Sequence, residues 1–150
     1  MFTFEPKEGV SYRYDYSRIC EDLNRLAGEG TAQAEQEALA ILRDCGSNDL
    51  FFLLYFFLRL EFLNNAFHVP LIYEVQDNHN DTLDLWAREH GKSTIITKGL
   101  TIFDIIRDKE KSNCIFSFNR SIAKGFLRDI KTELETNMLL KKVFPADGGD

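Results

Sequence analysis

A chain of 150 residues with 44% hydrophobic side chains and 13 phenylalanines can fill the core of one domain, which excludes a disordered tail. A net charge of −6 argues against a simple nucleic-acid-coating protein. The charge is uneven: residues 1–50 carry five basic and ten acidic side chains, and residues 111–142 carry seven and three. The positive surplus lies mostly on one predicted C-terminal helix, as a solvated face or as a nucleic-acid patch.

Residues 1–17 are mixed and aromatic, with Tyr12, Tyr14 and Tyr16, and read as an extended arm. Residues 18–26 suit a short helix ended by Gly28 and Gly30. Thr31 has the chemistry of an N-cap, and the Ala-, Gln- and Glu-rich stretch 32–45 predicts an amphipathic helix closed by Gly46. Residues 1–46 are thus expected to form an N-terminal helical arm. Ser47-Asn48-Asp49 caps a further helix, predicted to reach about Asn65. Its apolar run 50–58 is far short of the roughly 20 residues a bilayer span needs, and Arg59 and Glu61 follow at once. The run is a core helix or one that awaits a partner surface. His68-Val69-Pro70 interrupts the chain, and Pro70 suits the first residue of a short helix to Gln76.

A polar stretch, residues 77–81, leads to the alternating residues 82–86, which predict a short buried strand. The nine residues that follow from Trp86, Trp-Ala-Arg-Glu-His-Gly-Lys-Ser-Thr, contain the Gly-Lys-Ser core of a phosphate-binding loop. A triphosphate requires convergent backbone N–H donors, a mobile ammonium group and a hydroxyl on the magnesium ion. Gly91 permits close backbone approach, Lys92 reaches the β and γ oxygens, and Ser93 is the candidate Mg²⁺ ligand. Thr94 completes the motif. Trp86 stands where the general pattern has its first glycine.

Residues 93–107 predict the helix that should follow such a loop, with Ile95, Ile96, Leu100, Phe103 and Ile106 along one side. Residues 114–118, Cys-Ile-Phe-Ser-Phe, predict a second strand. The expected fold class is therefore α/β: N-terminal helices, then the βαβ start of a P-loop NTPase parallel sheet in residues 47–150. Ser121 should cap a long helix to about Leu140, with Ile122, Phe126, Ile130, Leu134 and Met138 on one side, and Val143-Phe144-Pro145 should end it. Residues 146–150 show no pattern. The magnesium-holding acid of such enzymes has no counterpart, because Asp104 falls inside the helix after the loop. With two strands only, the chain reads as a truncated ATPase domain.

Cys20, Cys45 and Cys114 are odd in number and widely spaced, which predicts free thiols in a reducing compartment. His68, His79 and His90 lack metal-ligand spacing, and the first residues carry no signal-peptide pattern.

The loop sequence, a preceding His-x-Pro segment, Phe-Asn-Arg-Ser-x-Ala-Lys-x-Phe-Leu-Arg-Asp-Ile-Lys from Phe118 and Glu-x-Asn-x-Leu-Leu-x-x-x-Phe-Pro from Glu135 together resemble the large terminase subunit of tailed bacteriophages. The resemblance covers about residues 48–145. That family often departs from the first glycine while keeping an early loop arginine. It implies an ATPase that drives double-stranded DNA into a procapsid in the host cytoplasm, working with a terminase small subunit and a portal protein. ATP and Mg²⁺ would be the cofactors, bound by Lys92 and Ser93. By position, Arg88 would stabilise charge on the γ-phosphate, Glu89 and His90 would form the loop wall, and Gln76 would contact adenine or be an exposed helix-end residue. Asn119 and Arg120 would face the nucleotide or cap a helix. The nuclease domain of the family has no counterpart here. A competing reading is a non-catalytic prophage remnant or docking module, with residues 1–65 as its partner surface. A third, an unrelated phosphate-loop kinase, lacks any sign of a phosphoacceptor site.

Overall fold

The computed structural model describes residues 1–78 and 82–145. His79, Asn80, Asp81 and the patternless tail 146–150 lie outside the described residues. Side-chain caps set the first helices. Asp15 accepts from the Arg18 amide and opens α1 (Tyr16–Glu29), which Gly30 ends in the left-handed conformation at φ 63°. Thr31 accepts from the Ala34 amide at 3.1 Å and opens α2 (Ala32–Asn48). Gly46 does not close α2. A Cβ there would lie 3.0 Å from the Phe57 ring and 3.2 Å from the Phe144 ring, so this glycine permits close packing.

Asp49 accepts from the Phe51 amide at 2.9 Å and starts α3 (Leu50–Phe52), which continues as a π-helical turn, Leu53–Phe57. The apolar run is the centre of the molecule: Leu50, Phe51, Phe52, Leu53, Leu54 and Phe57 are wholly buried. Tyr16, Cys20 and Leu23 from α1 and Leu42 from α2 close on it, so the N-terminal helices share one core with the rest of the chain. The arm before α1 adds its rings, with Phe4 edge-on to Tyr12 at 5.1 Å and to Tyr55 at 5.3 Å. Arg59, at φ 56°, turns the chain out of the π-helical turn, well before Asn65. No helix among the described residues is long and apolar enough to cross a membrane.

Four further helices enclose this centre. α4 (His68–Asp77) buries Val69 and Ile72. The helix after the loop runs as a π-helical stretch, Ser93–Leu100, continuous with α5 (Thr101–Arg107), and buries Ile95, Gly99, Ile102 and Phe103. Gly99 is its seat: a Cβ there would lie 2.4 Å from Leu54 Cδ2 and 3.2 Å from the Thr94 carbonyl. α6 (Arg120–Thr136) opens on Asn119, which accepts from the Ser121 amide at 2.7 Å. The expected long helix breaks at Asn137, whose Oδ1 caps α7 (Met138–Val143) and whose Nδ2 donates to the Phe57 carbonyl at 2.8 Å. Of the apolar side predicted for α6, Ile130 is buried while Ile122 and Met138 are exposed.

The expected α/β class is corrected here: the described residues form helices and irregular segments, with no strand and no parallel sheet. Neither 82–86 nor 114–118 is a strand. Leu83 and Leu85 are 82% and 80% exposed, and Phe116 and Phe118 are 92% and 95% exposed. Alternation makes a segment competent for a sheet, but a strand is stable only with a partner ladder. The helices make the core among themselves, and the two segments do not pair with each other.

Candidate functional site: the loop at residues 86–94

Trp86, Ala87, Arg88, Glu89, His90, Gly91, Lys92, Ser93 and Thr94 together line one open cleft of about 390 Å³. Its backbone is unusual. Glu89 and Gly91 have φ of 67° and 70°, while His90 between them does not have positive φ. Alternation of handedness of this kind is the backbone pattern from which a concave turn of N–H groups can be built. The Gly91 carbonyl accepts from the Ile95 amide at 2.9 Å, the first bond of the helix. The amides of Lys92, Ser93 and Thr94 precede that bond, so they face outward at the positive end of the helix dipole. A helix of fifteen residues therefore ends on the loop.

The side chains differ in readiness. Lys92 is half-buried, and its Nζ donates to the Asp84 carbonyl at 3.4 Å, closing the mouth between the loop and its stem. That bond is long, so an incoming anion can displace it readily. Ser93 is exposed at the first turn and Thr94 is half-buried. Arg88 is exposed, and its carbonyl accepts from His90 Nδ1 at 2.8 Å, which places the His90 proton on that nitrogen. Glu89 is exposed at its strained position, so its carboxylate is free to turn toward solvent and away from an anion.

Three expected site residues lie elsewhere. Gln76 is committed to the core scaffold: its Nε2 donates to the Asn48 carbonyl at 2.8 Å and its Oε1 accepts from the Leu50 amide at 2.8 Å. It locks α4 onto the α2–α3 corner and does not line the cleft. Asn119 is the cap of α6, and Arg120 is exposed on its first turn. Asp104 sits in α5 and pairs with Lys111 at 2.8 Å. From Ser93 it is roughly 16 Å along the helix.

Residues 65–68 brace the loop from behind. His68 Nε2 is 3.2 Å from the His90 carbonyl, and Asn65 holds the His68 ring from its other nitrogen at 2.8 Å. The Phe67 ring meets the His90 ring edge-on at 5.1 Å. The sequence marks His68 only as a helix-start neighbour of Pro70; its contact with the loop is a product of tertiary folding.

A second polar cluster lies apart from the loop. Asp49 is buried and accepts from the Tyr16 hydroxyl, which is also 2.9 Å from the Tyr73 hydroxyl. Burial raises the Asp49 carboxyl above the usual range, against the opposing pull of Tyr16 and two backbone amides. Burial likewise raises Tyr16, helped by the neighbouring Asp49 charge. Arg13 lies 4.5 Å above the Tyr73 ring and forks onto Asp77 at 3.1 and 2.6 Å. Tyr16 and Asp49 border a cavity of about 520 Å³. This cluster ties the arm, α1, α3 and α4 together.

Compared with protein-family models, curated proteins and solved structures, the chain matches none.

Proposed function

We propose that the chain binds a nucleoside triphosphate with Mg²⁺ through the loop at Gly91-Lys92-Ser93, as part of a viral DNA-packaging ATPase of the large-terminase type. The observation that carries the reading is the coincidence of sequence and backbone: the Gly-Lys-Ser residues follow positive φ at Glu89 and Gly91 and open a helix. Lys92 would leave the Asp84 carbonyl for the β and γ oxygens, and Arg88 would approach the γ-phosphate from the exposed side of the cleft.

Magnesium fits as a companion of the nucleotide. Ser93 supplies one hydroxyl, and among the described residues no group of three His, Cys, Asp or Glu side chains could hold a metal ion. Phosphate oxygens and water would complete the coordination, as is usual for this ion. Double-stranded DNA, a terminase small subunit and a portal protein are the partners this reading proposes, in the host cytoplasm. Burial of Leu50 to Leu54 and of Phe56 to Leu58 in the core fits this reading and the docking alternative alike.

Titration of a fluorescent ATP analogue tests the reading. Binding should require Mg²⁺, and Lys92→Ala should weaken it at least tenfold, about what one lost charged contact costs. Equal affinity in wild type and Lys92→Ala would remove the loop from any nucleotide function. Phosphate release in the same tube separates binding from turnover.

A further inference from the structure

We infer that His68 is a positioning residue for the phosphate loop, clamping the peptide between His90 and Gly91 so that the Gly91 amide faces the anion. The inference rests on the nucleotide-binding reading and extends the site to a residue 22 positions away.

Hydrogen-bond accounting fixes the His68 ring. Asn65 Oδ1 already accepts from the Phe67 and His68 amides at 3.0 and 2.9 Å. Asn65 Nδ2 donates to the Phe62 carbonyl at 2.8 Å and points at His68 Nδ1 at 2.8 Å. His68 Nδ1 also lies 3.1 Å from Asn65 Oδ1, but that oxygen already has its two donors. Nδ1 is therefore the acceptor, and the neutral ring carries its hydrogen on Nε2. That nitrogen is the one 3.2 Å from the His90 carbonyl, which can only accept. Both ends of the ring agree on one tautomer.

The clamp sets the direction of an amide. There is no cis peptide bond, so the His90 carbonyl and the Gly91 N–H lie in one plane and point in opposite directions. Holding the carbonyl against His68 turns the N–H away from that ring and from α4. The ring also lies flush with the glycine: a Cβ on Gly91 would be 3.7 Å from His68 Nε2. A purely local role at the start of α4 is already filled, because Asn65 Oδ1 takes the first amides there. Nothing else in α4 needs the Nε2 hydrogen.

The test compares His68→Leu, which removes the donor, with His68→Gln, whose side-chain amide can present an N–H at nearly the same place. Both are made in the full chain and titrated with the Mg²⁺–fluorescent ATP analogue. The leucine variant should bind about tenfold more weakly, the glutamine variant within about threefold of wild type, with similar melting temperatures. A leucine variant as tight as wild type, or a glutamine variant as weak as leucine, overturns the clamp. Nitrogen-15 NMR of the wild-type imidazole without nucleotide reads the clamp directly. An Nε2–H tautomer is expected, and an Nδ1–H tautomer overturns it even if the variants fold poorly. A wild type that binds no nucleotide overturns the functional reading, a result the tautomer measurement distinguishes from failure of the clamp.

Discussion

Two phenylalanine-bearing stretches look alike on paper and fare differently in the molecule. Residues 50–58 and residues 114–118 are both apolar, and both are introduced by polar residues. The first is wholly buried for most of its length, with Phe52 and Phe56 rings 4.5 Å apart, whereas Phe116 and Phe118 stand almost fully exposed. Helical residues satisfy their backbone within the segment, so the first stretch needed only neighbours for its side chains. An extended segment must find hydrogen-bond partners elsewhere in the chain, and the second has not joined a ladder. Apolarity alone does not decide burial; the source of the backbone partners does.

The sharpest way to break this comparison is to delete the same ring from each stretch. Phe52→Ala should cost about 3–5 kcal/mol in denaturant unfolding, and Phe116→Ala should stay within about 0.5 kcal/mol. Similar losses from both would mean that residues 114–118 are packed in solution.

The polar support of the buried stretch comes next. Asp49→Ala removes a helix cap and leaves the Tyr16 hydroxyl with Tyr73 as its remaining partner, for about 2–4 kcal/mol. Asp49→Asn can keep the cap and should cost much less at neutral pH. The pH dependence follows from the raised folded-state pKa of Asp49, whose ordinary value is 3.8. The folded state binds the proton more tightly, so its contribution to stability is complete below about pH 4 and is lost as pH rises through the folded pKa. Asp49→Asn should abolish that decline, as melting temperatures across pH 3–8 would show.

The loop offers an effect of opposite sign. Glu89 adopts left-handed backbone that favours glycine, so Glu89→Gly should relieve up to about 1 kcal/mol of strain and raise the melting temperature slightly. A loss of stability would point to a role for the side chain itself. The smallest perturbation is chemical labelling. Burial pushes the Cys20 and Cys45 thiols up to about 11, and Cys114 is exposed in the irregular segment before α6. A limiting thiol reagent at pH 8 should therefore modify Cys114 first, as peptide mass mapping would reveal.

What was legible in the sequence follows the same division. The capping of α2 by Thr31 and of α3 by Asp49 is local chemistry, and the residues announce it. The helix after the loop is likewise readable, because its start and its apolar spacing lie within one short stretch. Asn137 carried a cap signal that the four-residue apolar spacing of α6 concealed. The expected strands do not form, because pairing is decided by distant residues. His68 and Asp84 reach the loop through folding, and Gln76 was drawn away from it by the backbone of Asn48 and Leu50.

Gly99 also governs which part of the site has mechanical freedom. With its backbone pressed against Leu54, the helix behind the loop cannot roll or slide without opening a void in a close-packed interior. The helix is thus an anvil. Any shift of the loop falls upstream of Ser93, in residues 82–92, where the chain lies outside the close-packed interior.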